Sequence, residues 1–229
     1  MALPISQFLE IGKGVTAILG SGGKTTLMQS LARELPGRVL LCTTYFFFPL
    51  PGTAFLSISD CTEEQEKEKL RELLSENRVV CAGQIAGGGK LARPFTSFDR
   101  LKELADYVLV EADDARRLPL KAHEYNEPAL PEAVDDKVLV IGASGFMKPV
   151  KQVVHHPGVF KLLTGCADDA LAKPELVAKA FLNEKLTKKV LINQVESREA
   201  LALAERFLNV TDIAVTVGSL QKNAFKQYL

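Results

Sequence analysis

The chain alternates short apolar runs with segments whose apolar residues recur at helical spacing. Residues 15–19 (Val-Thr-Ala-Ile-Leu) form the first run and 39–42 (Val-Leu-Leu-Cys) the second. Runs like these suit parallel strands covered on both faces. Between them, Leu27, Met28, Leu31 and Leu35 mark the inner face of a helix that begins near Thr25 and is stopped by Pro36-Gly37. Thr62-Glu63-Glu64-Gln65 has the form of a capping box. The helix it opens runs to about Asn77, with Leu70, Leu73 and Leu74 as apolar contacts and its many charges on a solvated face. Further strands are predicted over 79–82, 107–110, 138–141, 190–192 and 213–217, and further helices over 98–105 and 197–208.

This alternation implies an α/β fold: a mainly parallel sheet with helices on both faces, in a Rossmann-like three-layer arrangement. No Pro-, Gly- or Ser-rich linker and no internal repeat divides the chain, so residues 1–229 are expected to form a single domain. Two stretches read as surface insertions. One covers 45–59, with Phe46-Phe47-Phe48 and two prolines; the other covers 83–94, with Gly87-Gly88-Gly89-Lys90.

Composition narrows the class. A chain of 229 residues buries roughly 70% of its unfolded surface and needs no staples. Lys+Arg and Asp+Glu balance at 28 each, which speaks against a nucleic-acid partner. No apolar run approaches the ~20 residues of a membrane span, so no membrane association is expected. Residues 1–11 lack a basic region followed by an apolar stretch, so no secretory signal is expected. The four cysteines, at 42, 61, 81 and 166, have no zinc-site spacing. Cys42 and Cys81 read as buried hydrophobes, and reduced thiols fit a cytoplasmic location.

The chemistry starts at Gly20-Ser21-Gly22-Gly23-Lys24-Thr25-Thr26, between the first strand and the first helix. Glycines let backbone N–H groups approach phosphate oxygens, and the helix N-terminus adds its own donors and partial positive charge. Lys24 can reach terminal phosphates, and the Thr25 hydroxyl can ligate Mg²⁺. A packing turn would need the glycines but neither the lysine nor the threonines. Ile18 stands where the usual G-x-x-x-x-G-K-[ST] loop has its first glycine. The shorter loop resembles that of ATP-dependent Mur-type amide ligases and folylpolyglutamate synthases more than that of kinases. A P-loop nucleotide-binding architecture is the expectation, with ATP or GTP and Mg²⁺ as ligands.

Ligands of such sheets bind at the C-terminal strand ends, and the other candidates sit there. Val108-Leu109-Val110-Glu111-Ala112-Asp113 is an apolar strand ending in acids. Glu111 and Asp113 are two residues apart and share a face if the strand persists, where they can hold a metal. Arg116, Arg117 and Lys121 follow. They either bind an anion and stabilise charge in phosphoryl transfer or neutralise Glu111, Asp113 and Asp114. Thr43 and Thr44 end the second strand at the same edge. Lys90 either folds over a ligand or is a solvated loop lysine. His155-His156 has no third ligand at helical spacing and makes a poor metal site. Asn193-Gln194-Val195-Glu196 is similar to the base-reading N-K-x-D motif of GTPases, with Gln194 and Glu196 replacing lysine and aspartate.

Gly20 to Thr26, Thr43-Thr44, Glu111 to Ala122 and Glu127-Pro128 together resemble the YqeC family, the more so because the middle motif keeps eight residues in nearly fixed order. Two positions depart from the family pattern: Asp114 stands where a glycine is usual, and His156 where an arginine is common. The resemblance implies an accessory role in selenium cofactor biosynthesis for molybdenum hydroxylases. A molybdenum hydroxylase or another selenium-pathway protein is then the expected partner.

The leading expectation is a Mg²⁺-dependent ATP- or GTP-binding protein, with NTP hydrolysis as its chemistry. Gly20, Ser21, Gly22, Gly23, Lys24, Thr25 and Thr26, with Thr43, Thr44, Lys121 and Asn193, would bind the cofactor. Thr25, Glu111 and Asp113 would hold the metal. Lys24, Glu111, Asp113, Arg116 and Arg117 would carry catalysis. One alternative is a ligase that activates a carboxylate as an acyl phosphate, although no second substrate domain of the usual size is visible. The other is a nucleotide-switched chaperone docking a partner through Phe46-Phe47-Phe48, unless that stretch packs inward.

Overall fold

The computed structural model describes residues 3–56 and 61–228. Its strands are β1 (Gly14–Gly20), β2 (Val39–Thr43), β3 (Phe46–Phe47), β4 (Ala54–Phe55), β5 (Val79–Cys81), β6 (Gln84–Ala86), β7 (Lys90–Ala92) and β8 (Tyr107–Glu111). They continue with β9 (Leu120–Lys121), β10 (Asp136–Gly142), β11 (Val154–His155), β12 (Lys189–Asn193), β13 (Val215–Ser219) and β14 (Ala224–Tyr228). The helices are α1 (Ile5–Phe8), α2 (Lys24–Glu34), α3 (Glu63–Glu76), α4 (Phe98–Leu101), α5 (Val150–Val153), α6 (Pro157–Thr164), α7 (Pro174–Glu184) and α8 (Arg198–Leu208).

Nine strands form one sheet in the order β14-β13-β12-β10-β1-β8-β2-β5-β4. Every pairing is parallel except that of the edge strand β14 with β13. The apolar runs are continuous because both faces are covered. Ile18, Leu41, Leu109, Val140 and Leu191 face Ile5 of α1 and Leu27, Met28 and Leu31 of α2. On the opposite face, Leu19, Leu139, Ile141 and Ile192 pack with Phe160, Phe181 and Phe207 of α6, α7 and α8. Val15, Leu40, Val108 and Val110 pack there with Leu70 and Leu74 of α3 and with Phe98 and Leu101 of α4. The protein is therefore α/β, with a large, mostly parallel central sheet flanked by helices.

Several predicted elements are adjusted. The helix expected over 98–105 is a single turn, α4, followed by turns. The last parallel strand starts at Val215, not at residue 213. Residues 157–184, for which periodicity predicts no element, form α6 and α7. The two expected insertions come together: β3 pairs with β7, and β7 with β6, as a small antiparallel sheet. Residues 57–59 of the first insertion lie outside the described residues. Phe47 is buried in the core, whereas Phe46 and Phe48 are exposed. No helix among the described residues is long and apolar enough to cross a membrane.

The capping box forms as predicted, with reciprocal Thr62 and Gln65 bonds. The charged face of α3 is less simple than the sequence suggests. Glu66 is buried and accepts the N–H groups of Phe95 (3.2 Å) and Thr96 (2.5 Å), which anchors the segment that leads into α4. Glu66→Ala leaves the buried Thr96 N–H and the half-buried Phe95 N–H without their acceptor and should cost on the order of 2 kcal/mol. Glu72→Ala on the exposed face should stay within about 0.5 kcal/mol. Urea denaturation of the two variants measures the contrast; equal effects would place Glu66 on the solvated face.

Candidate functional site

The site is built where β1 gives way to α2. Gly20, Gly22 and Gly23 have φ of +83°, +87° and +136°, a backbone that L side chains rarely adopt. Space is also closed to a side chain: a Cβ on Gly22 would lie 2.4 Å from Gly142 Cα, and one on Gly23 would lie 2.4 Å from Asn193 Nδ2. The Gly20 N–H donates to Asp113 Oδ2 (2.7 Å) and the Ser21 N–H to the Val140 carbonyl (2.9 Å). The Ser21 hydroxyl donates to the Leu118 carbonyl. The N–H groups of Gly22, Gly23, Lys24, Thr25 and Thr26 find no acceptor among the described residues. They lie at the N-terminus of α2, beside a cleft of about 600 Å³ that Ser21 to Thr26 help to line.

Behind the loop lies a chain of alternating charges. Lys24 Nζ donates to the Gly20 carbonyl (2.8 Å) and pairs with Asp113 Oδ1 (2.8 Å); Glu111 Oε1 is 3.7 Å away. Asp113 Oδ2 meets His123 Nε2 at 2.8 Å, and His123 Nδ1 meets both oxygens of Glu184 at 3.1 Å. Burial alone would push the Asp113 carboxyl up, but the Lys24 ammonium and the His123 ring outweigh it and hold it below the usual carboxylate range. Burial likewise disfavours the His123 imidazolium, yet its bonds to Asp113 and Glu184 prevail and push its pKa up to about 9. Glu111 is raised instead, because burial outweighs the nearby Lys24. His123 and Glu184 were not legible as site residues: Glu184 comes from the end of α7, 61 positions beyond His123.

The spacing puts Glu111 and Asp113 on one face only if the strand persists, and β8 ends at Glu111; the two acids nonetheless both approach Lys24. Their surroundings differ. Glu111 lines the cleft and its Oε2 accepts from the Thr25 hydroxyl at 3.3 Å, whereas the Asp113 side chain is wholly buried. Thr26 lines the cleft too. Thr43 is buried and donates to the Glu111 carbonyl (2.9 Å), clamping β2 to the end of β8. The Thr44 N–H reaches the same carbonyl at 3.1 Å. Asn193 is buried and pins the loop, donating to the Gly22 carbonyl (2.8 Å) and accepting from the Leu220 N–H (3.0 Å).

Arg116 and Arg117 are exposed, line the cleft and make no ion pair among the described residues; they do not neutralise the acids. Lys121 is placed apart from them. Its buried ammonium binds Glu127 Oε1 (2.9 Å) and the Asp114 carbonyl (2.5 Å), next to the cis Glu127-Pro128 peptide. Asp114 is not among the residues with positive φ, so an aspartate at this position carries no left-handed strain; the left-handed residues here are Arg116 and Arg117. The ring centres of His155 and His156 lie 3.9 Å apart with the planes tilted by 37°, and His156 bridges Glu124 and Glu127. Lys90 lines the cleft with its ammonium 5.4 Å from the centre of the Phe48 ring.

The raised His123 value sets a pH dependence. A histidine whose folded pKa exceeds its ordinary 6.5 contributes stability that is complete below pH 6.5 and is lost as pH rises through about 9. The contribution is on the order of 3 kcal/mol. Urea melts between pH 6 and pH 9 should show the wild type losing stability across this window, with His123→Gln less stable at pH 6 and much flatter. A wild-type profile that is flat over the window would contradict the buried imidazolium.

Comparisons with known proteins give the family. The family model described as "YqeC protein" matches residues 16–158, a span that runs from β1 through the acid-bearing strand to the paired histidines. The "Uncharacterized protein YqeC" of Escherichia coli (strain K12) is 32% identical over 174 residues, covering 72% of this chain and 66% of that protein. No solved structure matches the chain significantly. The chain belongs to the YqeC family.

Proposed function

We propose that this protein is a P-loop protein that binds ATP or GTP with Mg²⁺ and hydrolyses it or transfers its terminal phosphoryl group. The observation that carries the reading is the row of free N–H groups from Gly22 to Thr26 at the start of α2, with a lysine at its end. Five unpaired donors in succession at a helix N-terminus are suited to an anion of several oxygens. The strand order also supports the reading: β1, which carries the loop, is flanked by β8, which carries the acid, and by β10.

The donor set fits a divalent cation. Lys24 is shared between two carboxylates, and His123 is paired with Glu184, so one negative charge is left uncompensated at Glu111. That carboxylate faces the cleft beside the Thr25 hydroxyl. Thr25 and Glu111 would hold Mg²⁺, directly or through water, and the ion would neutralise phosphate charge. Asp113 acts from behind, fixing the Gly20 N–H and holding Lys24. Lys24 would turn from Asp113 to the phosphates when they arrive. Arg116 and Arg117 supply cations at the cleft wall, where charge develops during phosphoryl transfer.

The pathway context rests on family membership and the resemblance behind it: maturation of selenium-dependent molybdenum hydroxylases, in the cytoplasm. Lys121 and Asn193 are reassigned to support roles, since each side chain is buried and bonded to protein groups.

Thermal shift with ATP or GTP and Mg²⁺ tests the reading. Either nucleotide should stabilise the wild type by about 2.7 kcal/mol at 100 times its Kd. Lys24→Ala should lose most of that shift, measured against its own nucleotide-free melting temperature. Absence of stabilisation by both nucleotides would overturn the proposal.

A further inference from the structure

The cleft is larger than a phosphate loop requires. The sheet order places the segment after β12, with Gln194, and the segment after β10, with Ser144, on one side of the loop. The segments after β8, with Arg116 and Arg117, and after β2, with Phe46 and Phe48, lie on the other side. Thr25 and Glu111 mark the terminal-phosphate position, so the region beyond Glu111 is where a second ligand would meet that phosphate. The Ser144–Gln194 side is left for the nucleoside.

Phe46 and Phe48 are 59% and 49% exposed, although Phe47 between them is 4% exposed. The alternation follows the two-residue period of a strand, which turns one ring into the core and its neighbours outward. Phe46 is held by the pairing of β3 with β7, and the Phe48 ring lies 5.4 Å from the Lys90 ammonium. In the same cleft, Arg116 and Arg117 adopt φ of +47° and +61° in succession. This conformation costs of order 1 kcal/mol or more per residue away from glycine. Neither guanidinium has an ion-pair partner among the described residues, and the loop amides with Lys24 already provide for the nucleotide's phosphates. Aromatic faces, a lysine and two unpaired guanidiniums in one cleft match a flat ring that carries an anionic group.

We propose that Phe46, Phe48, Lys90, Arg116 and Arg117 form a second ligand site, for a planar heteroaromatic phosphate, beside the terminal-phosphate end of the glycine loop. The rings of Phe46 and Phe48 stack on the ligand, and the arginines take its phosphate. The placement rests on the phosphate-loop reading, but the site's residues are different ones.

Binding of flavin mononucleotide and of 4-methylumbelliferyl phosphate to the full chain, followed by their own fluorescence, tests the site. Both should bind in the presence of saturating ATP and Mg²⁺. Riboflavin, which lacks the phosphate, should bind about tenfold or more weakly. Phe46→Ala/Phe48→Ala should weaken both probes by about tenfold or more. Arg116→Ala/Arg117→Ala should bring flavin mononucleotide down to the riboflavin level, with circular dichroism unchanged in both double variants. Lys24→Ala should leave probe binding intact. The proposal is overturned if neither probe binds, if ATP displaces them competitively, or if Lys24→Ala removes binding while the arginine pair does not. Probe binding in a protein that fails to bind nucleotide supports this site and sinks only the nucleotide reading.

Discussion

The carboxylate of Asp113 is approached from three directions, and the site depends on that convergence. One oxygen accepts the N–H of Gly20, where β1 ends, and also meets the ring of His123. The other pairs with the ammonium of Lys24 at the start of α2. A buried carboxylate without partners would be costly and would take up a proton. With these partners it stays ionised, and it ties the loop, the lysine and the β8 end into one unit. Through His123 the same contact reaches Glu184 on α7, on the far face of the sheet from α2. The loop is thus braced from behind, and its outward N–H groups remain free.

That bracing divides the work between two acids that look equivalent in sequence. Glu111, at the last position of β8, faces the cleft with Thr25 beside it. Asp113 is buried and serves the loop. In the proposed cycle, phosphate would compete with Asp113 for Lys24, and Asp113 would retain His123 and the Gly20 N–H. With Lys24 drawn away, Asp113, Glu184 and the His123 imidazolium would carry one net negative charge behind the loop, which favours the return of Lys24 once phosphate leaves. The unpaired arginines and the exposed phenylalanines lie beyond Glu111, outside this braced unit, where residues are free to serve a second ligand.

Much of the fold was legible because parallel strands covered on both faces leave unbroken apolar runs, as at 39–42 and 107–110. The loop was legible because its glycines, lysine and threonines are adjacent. Other parts had no local signal. In α7 the buried residues include Ala178 and Ala180, which contribute little contrast to a hydrophobic period, and in α6 Leu162 is exposed against the pattern. Lys121 looked like a ligand-facing cation because it follows Arg116 and Arg117, yet Glu127 draws it inside. Asn193 looked like a base reader, but its partners are the backbones of Gly22 and Leu220. The role of His123 depends on Glu184, and no spacing rule joins residues so far apart. Pairings of that kind are made by the packing of α7 on the sheet and by nothing in the local sequence.

The central claim is that the free N–H groups of the glycine loop bind nucleotide phosphates. Amide hydrogen exchange reads those groups directly. With ATP or GTP and Mg²⁺, residues 22–26 should become protected, while the Gly20 N–H, already bonded to Asp113, should change little. Exchange at residues 22–26 that is the same with and without nucleotide would contradict the account.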